Sequence, residues 1–417
     1  MRIVEGRPAE EMVQRLATRG GRVSGLERGV RRIVDSVRYG GDRLLRQYAK
    51  RWDGLAAKQP FRIDEKDMAA ALEKLAPSLL KSLRQAAANI RRFCEWQKPK
   101  TWMRTRAGIS LGQLVRPLDS VGCYVPGGRY PLVSTLLMTV IPAQVAGVKN
   151  IRVVSPNPSM EVLAAGAMLG VREFYRVGGA QAVAALAYGT RSIPKVEKIV
   201  GPGNAYVTAA KKLVSFDCAI DCLAGPTETV ILGGSLRDSP NPEFIAADLV
   251  AQAEHDPEVL ALFITATRSL ARSVSANVTQ LATKNPTARA SLDRHGAILV
   301  AASRDQAREW ANLLAPEHIT VSEDDLPFVR NAGSVFVGNY SAQAAGDYVS
   351  GPNHVLPTSG QARVRGGLSI LDFVKVITVQ KLSSHGLRRI APAIECLAGA
   401  EGLPAHAESI RVRCEHA

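Results

Sequence analysis

The chain has 417 residues, 46% of them hydrophobic and 22% charged, with a formal net charge of +15. That balance is globular and excludes a disordered, collagen-like or disulfide-scaffold protein, and the length suggests two to four domains. The basic excess raises nucleic acid as a partner, but it is concentrated at one end. Residues 1–100 hold 23 Lys/Arg against 12 Asp/Glu, spread singly through helical patterns with no dense basic run among aromatics. A solvated basic face is expected, with no nucleic-acid partner. The six cysteines form no C-x-x-C pair, and the N-terminus lacks an apolar h-region. Both point to a reducing, cytoplasmic setting without a signal peptide.

In chain order, residues 1–20 read as a short amphipathic arm. Residues 26–51 carry helical spacing (Leu26, Val30, Ile33, Val34, Val37), interrupted by Gly40-Gly41-Asp42. Residues 66–98 continue as helix. From about residue 110 short β-branched runs alternate with Ala-rich helical ones. Strands are predicted at 151–156, 174–177, 198–200, 229–232 and 260–265, and helices at 160–169, 181–188, 205–214 and 242–254. Such short connections imply parallel sheets covered by helices on both faces, an α/β fold. The uncharged run 131–148 carries Pro131, Pro142 and Gln144 and reads as a buried helix, not a membrane span. Beyond Leu368 strand and helix return as a small C-terminal piece.

Three strand-to-helix turns are rich in glycine: 121–128, 177–181 and 200–204. Glycine lets backbone N–H groups approach a ligand, and a helix N-terminus favours an anion. Neither G-x-G-x-x-G nor G-x-x-x-x-G-K-[ST] occurs, so the turns could equally serve packing alone. Tyr124, Gln181 and Asn204 each set a polar group beside one of them.

Only seven histidines occur, and several keep polar company. Gln252 and His255 are three apart at a helix end. Glu317-His318 lies at a helix–strand junction, where burial and neighbours can move either pKa towards 7. The segment 346–354 packs Asp347, Asn353 and His354 between apolar runs. Glu401 and His406 sit in the tail, where solvated side chains are the simpler reading. Gln252, His255, Asp347 and His406 form a plausible N/O ligand set for Zn²⁺, though spacing alone does not show that they converge. Cys123 has no base paired with it in the sequence and reads as a small core residue.

The motifs VGCYVPGGRYPLVSTLLM, VGGAQAVAALAYGT, KIVGPGNAYVT, AGPTE, AQAEHDP, APEH, NAGSVFVG, GDYVSGPNHVLPT and LPAH together resemble the histidinol dehydrogenase family, in its order, over about residues 110–410. The resemblance implies a zinc-containing, NAD-dependent enzyme oxidising L-histidinol through L-histidinal to L-histidine, the end of histidine biosynthesis. It places the zinc ligands on Gln252, His255, Asp347 and His406, and the catalytic pair on Glu317 and His318. Substrate contacts fall on Thr227, Gln252, His255, His318, Asp347, His354, Glu401 and His406, and NAD contacts on Tyr124, Gln181 and Asn204. Position 227 departs from the family's Ser, so the hydroxyl is kept and a methyl added. The implied architecture is two incomplete Rossmann-like domains in an intertwined homodimer. An arm at 1–23 precedes one domain from 24–122 and 230–366. The second spans 123–229, and a small piece at 367–417 completes the partner subunit's site. The readings that compete are a relative acting on another amino alcohol or a sulfonated diol, and a non-enzymatic basic binding protein.

Overall fold

The computed structural model describes residues 1–20, 25–56, 58–127, 132–234 and 241–416. The chain opens with β1 (Arg2–Glu5) and α1 (Arg7–Ala17). Helix α2 (Glu27–Trp52) is interrupted at Gly41, whose φ of 53° only glycine adopts readily, so the Gly40-Gly41 signal is a kink within a continuing helix. α3 (Glu65–Glu73) is capped by the Asp64 side chain, which accepts from the Lys66 N–H. α4 (Pro77–Gln97) begins on a proline, the residue that splits the predicted 66–98 helix in two.

β2 (Trp102–Arg106) and β3 (Ile109–Pro117) form an antiparallel hairpin. Its turn residues Ala107 and Gly108 both have positive φ, which matches the twist of the flanking strands. The alternating region follows: β4 (Ser120–Tyr124), α5 (Val133–Ala146), β5 (Asn150–Val154), α6 (Met160–Met168), β6 (Glu173–Tyr175), α7 (Gly179–Tyr188), β7 (Lys198–Val200), α8 (Ala205–Val214) and β8 (Ala219–Ile220). These strands make a parallel five-stranded sheet in the order β6-β5-β4-β7-β8. Alternate residues feed opposite faces. Val121, Cys123 and Val153 join a core with α3, α4, α5 and α6, while Tyr124, Val154 and Ile199 join one with α2, α7 and α8. α5 is buried almost all round. Among the described residues no helix is long and apolar enough to cross a membrane.

A second alternating run comprises β9 (Glu228–Gly233), α9 (Pro242–Ala253), β10 (Leu260–Thr265), α10 (Arg268–Ala282), α11 (Pro286–Arg294), β11 (Ala297–Val300), α12 (Arg304–Leu314), β12 (His318–Val321), β13 (Ser334–Val337) and α13 (Gln343–Tyr348). With β1 it forms a parallel six-stranded sheet, β1-β11-β10-β9-β12-β13. β1 aside, both sheets have the same order. In each, the run's third and second strands lie on one side of its first, and the fourth and fifth on the other.

This packing differs from the expected division in two ways. Helices α2 to α4 cover the five-stranded sheet, and β4 is its central strand, so 24–122 packs chiefly with 123–229 and meets 230–366 only at the margin, as where Asn89 donates to the Val349 carbonyl. The arm at 1–23 is not free either. β1 pairs with β11, and α1 packs on α12. Amphipathic periodicity shows that a helix needs a sheet to cover, but not which sheet. Residues 21–24, within that arm and boundary, lie outside the described residues.

The C-terminal piece is strand and helix, as expected, but its strand is not separate. β14 (Val374–Leu382) pairs antiparallel along all of β3, giving the order β14-β3-β2. α14 (Ser384–Ala400) and α15 (Pro404–Glu415) then pack on one another.

Candidate active site

α12 ends at Ala315, whose φ of 45° is left-handed, and Pro316 prevents helix from resuming. The chain therefore turns into β12 with Glu317 and His318 at the amino end of that strand, inside the molecule. Glu317 is 7% and His318 3% exposed. The Glu317 carboxylate accepts the Glu228 backbone N–H at 3.0 Å. Burial pushes its pKa up to about 7, partly opposed by His318 and by that hydrogen bond, with Glu228 and Asp347 adding to the rise. His318 Nδ1 lies 3.9 Å from Glu317 Oε2, and Nε2 lies 3.6 Å from Asp347 Oδ1. Burial works against the imidazolium, but the two carboxylates outweigh it and raise the His318 pKa. His318 Nδ1 is buried without a hydrogen-bond partner, a costly arrangement unless a ligand or water meets it.

α13 carries Asp347 to His318, and α9 brings Gln252, whose Nε2 donates to Asp347 Oδ2 at 2.9 Å. Burial would raise the Asp347 pKa, yet His318, His354 and Gln252 together hold it low. His354 Nδ1 lies 2.7 Å from the Asp347 carbonyl, which can only accept, so Nδ1 carries the proton. Nε2 then accepts from Thr135 Oγ1 at 3.4 Å. Burial lowers the His354 pKa and keeps the ring neutral.

His255 sits just beyond α9, exposed, and is near enough to His354 to depress its pKa. Thr227 precedes β9 and its carbonyl accepts from Leu260 N–H at 2.9 Å. The structure therefore gathers Gln252, Glu317, His318, Asp347 and His354, with His255 and Thr227 at the margin. It does not bring Glu401 and His406 there. Both are exposed, one capping α14 and the other on α15. Among the described residues no group of three or more His, Cys, Asp or Glu side chains is placed to hold a metal.

Three residues of this neighbourhood escape sequence reasoning: Thr135, already placed beside His354, and Glu228 and Arg19. Glu228 anchors Glu317 through its backbone, while its own carboxylate takes a bidentate pair from Arg19 at 2.6 and 2.5 Å and the Ser359 N–H at 3.0 Å. The only sequence signal was the position of Glu228 in the AGPTE motif. Nothing local marks Arg19.

The glycine turns gather at the carboxyl edge of the five-stranded sheet. Tyr124 ends β4, and its hydroxyl accepts the Gly179 N–H at 2.9 Å. Burial pushes the Tyr124 pKa up to about 12, so it stays a neutral phenol. Gln181 is 1% exposed and donates to Asp53 Oδ2 at 3.1 Å, and the Gly178 N–H reaches the same oxygen at 3.2 Å. Asn204 caps α8, accepting from the Tyr206 and Val207 N–H groups. Gly201 has φ 113°, and a Cβ there would stand 2.2 Å from the Tyr124 carbonyl oxygen, so only glycine fits. The turn at 177–181 is thus not an open anion nest: Asp53 and Tyr124 already engage two of its N–H groups. Gly128, in the remaining turn, lies outside the described residues, as does Pro131. Cys123 is fully buried in the core, and burial pushes its thiol up to about 12. It is no nucleophile.

A buried carboxylate–imidazole–carboxylate chain beside one parallel sheet and glycine turns on another are features of an α/β enzyme. A family model described as histidinol dehydrogenase matches residues 17–414. The histidinol dehydrogenase of Methanothermobacter thermautotrophicus is 47% identical over 396 residues, covering 91% of this chain and 92% of that protein. That of Methanosarcina barkeri is 42% identical over 419 residues, covering 97% and 96%. The crystal structure of histidinol dehydrogenase from Elizabethkingia anophelis superposes with a TM-score of 0.94 at 35% identity, covering 100% of this chain and 98% of that one. The chain belongs to the histidinol dehydrogenase family, and it is an oxidoreductase of that kind.

Proposed function

We propose that the chain oxidises L-histidinol to L-histidine in two steps that use two NAD⁺, with Glu317 and His318 as the proton-handling pair. The observation that carries this reading is the buried chain Glu317–His318–Asp347, in which one imidazole faces a carboxylate at each nitrogen. In the first step His318 accepts the hydroxyl proton as the alcohol carbon loses hydride to NAD⁺, giving aldehyde, NADH and H⁺. Asp347 and Glu317 stabilise the imidazolium that forms. In the second, Glu317 takes a proton from water as it adds to the aldehyde, and His318 accepts the hydrate's hydroxyl proton while the second hydride leaves. The products are carboxylate, a second NADH and two further H⁺. With its pKa near 7, Glu317 can both accept and return a proton near neutral pH. Burial of the pair limits loss of the aldehyde.

Gln252 and Asp347 already adjoin, which suits an oxygen-rich Zn²⁺ site with His255 beside it. His406 would complete the set from a second copy of the chain, with Glu401 supplying a substrate contact and His354 and Thr227 lining the same pocket. When bound, zinc would orient the substrate and polarise its oxygen. A homodimer is supported by the unburied apolar side chains of the β14-β3-β2 sheet and the last two helices, among them Trp102, Met103, Val376, Ile377 and Leu397. Each parallel sheet is read as an incomplete Rossmann-like domain, because its strand order matches the first five strands of that fold. Tyr124, Gln181 and Asn204 lie where such a sheet receives a dinucleotide. The setting is read as cytoplasmic, with no nucleic-acid or membrane partner.

Incubating purified protein with L-histidinol and NAD⁺ tests the reading: two NADH should form per histidine. Turnover of another diol but not of histidinol would overturn it.

A further inference from the structure

The edge of the five-stranded sheet that carries Tyr124 and Gln181 contains a carboxylate that its own strands do not supply. The turns after β4, β5, β6 and β7 run Val125-Pro-Gly127, Ser155-Pro-Asn157, Arg176–Gln181 and Gly201–Asn204, and none of them has an acidic residue. Among the described residues, two carboxylates from outside those four turns accept their backbone N–H groups. Asp221, beyond β8, is saturated: it pairs with the buried Lys211 and accepts the Gly201 and Cys222 N–H groups. Asp53, which caps the C-terminal end of α2, is not. Both its hydrogen bonds, from Gly178 N and Gln181 Nε2, fall on Oδ2, and Oδ1 takes none from the described residues. Among the described residues no cation pairs with Asp53 either, and partial burial raises its pKa. The nearby Arg176 is drawn off by Asp67 at 3.5 Å. A half-buried carboxylate with one oxygen tied to a turn and the other open is an acceptor held in place for a ligand's hydroxyl.

We propose that Asp53 selects the cofactor. Its open oxygen accepts a hydroxyl of the adenosine ribose, and its charge excludes a dinucleotide bearing a 2′-phosphate. Parallel sheets of this strand order commonly meet that ribose with an acidic residue at the end of their second strand. Here that strand is β5, which ends in Ser155-Pro-Asn157, and Asp53 supplies the group from α2. This inference rests on the reading that NAD⁺ binds at this edge.

Asp53→Asn tests it, because the amide oxygen can still hold Gly178 and Gln181 while the outward group becomes an uncharged donor. With L-histidinol as substrate, the KM for NAD⁺ should rise about tenfold with kcat little changed. The preference for NAD⁺ over NADP⁺ in kcat/KM should fall by about tenfold or more. Asp53→Glu, which keeps the charge, should retain most of the discrimination, and it covers the case in which the Asn variant does not fold. An unchanged NAD⁺/NADP⁺ ratio in Asp53→Asn, or lost discrimination in Asp53→Glu, overturns the assignment. Tyr124→Ala separates the two claims. If it leaves the NAD⁺ KM unchanged, the placement of the cofactor is wrong. If it raises that KM while Asp53→Asn does not alter the ratio, only the role of Asp53 fails.

Discussion

The two parallel sheets share one strand order and gather their candidate site residues at opposite edges. In the five-stranded sheet the polar groups gather at the carboxyl ends of the strands, around Tyr124, the 177–181 turn and Gly201, where open parallel sheets usually bind ligands. In the six-stranded sheet Glu317, His318 and Thr227 lie at the amino ends of β12 and β9. Near its carboxyl edge, the loop after β12 is closed by an internal ion pair. Asp325 takes Arg304 at 2.9 Å, Arg308 at 2.8 Å and the Ser322 hydroxyl at 2.7 Å. One strand order therefore carries its polar turns at the carboxyl edge in one unit and an ion-paired loop there in the other. The pair Glu317–His318, proposed to be reactive, instead lies near where His354, from the loop after α13, meets Thr135 of the five-stranded unit.

The comparison can be broken from either side. The largest effect is expected at the amino edge of the six-stranded sheet. His318→Asn should cost about 10² to 10⁴ in turnover for both oxidations, with NAD⁺ binding preserved, as measured by steady-state kinetics and titration of NAD⁺. Arg19→Ala should destabilise the fold by about 3–5 kcal/mol, because it leaves Glu228 buried and unpaired beneath Glu317; denaturant unfolding reads this directly. Gly201→Ala at the other edge should destabilise by roughly 1–3 kcal/mol and raise the NAD⁺ KM without altering zinc content. A pH profile sharpens the contrast further. Burial raises the Glu317 pKa to about 7, so its carboxylate form is lost as pH falls through that value. Oxidation of added L-histidinal should then decline about tenfold per pH unit on the acid side. The smallest effect belongs to the basic face. Neutralising the exposed Arg31, Arg32 and Arg43 together should leave the NAD⁺ KM nearly unchanged. Arg46 is excluded from that set because it lies over Phe61 and donates to the Gln59 carbonyl.

The alternating regions were legible because buried parallel strands read as short β-branched runs and their helices as Ala-rich ones. The β2–β3 hairpin was not legible. β2 is exposed throughout and mixes Trp102 and Met103 with Arg104 and Arg106, β3 is mostly half-buried, and its partner β14 lies more than 250 residues away. Within the site, Glu317-His318 and the 346–354 segment stood out as polar clusters between apolar runs. Asp53, Arg19 and Thr135 did not, because each meets its partner only through tertiary packing and no spacing marks it. Glu401 was drawn in by the family resemblance alone and His406 by its chemistry as a candidate zinc ligand, and a single chain leaves both exposed.

The central claim is that Glu317 serves the second oxidation and His318 both. The most direct measurement is the NADH yield of Glu317→Gln with a limiting amount of L-histidinol, alongside its zinc content. The account predicts one NADH per histidinol with aldehyde retained, against two for the unaltered chain, and zinc content unchanged. Two NADH per histidinol at an undiminished rate would contradict it.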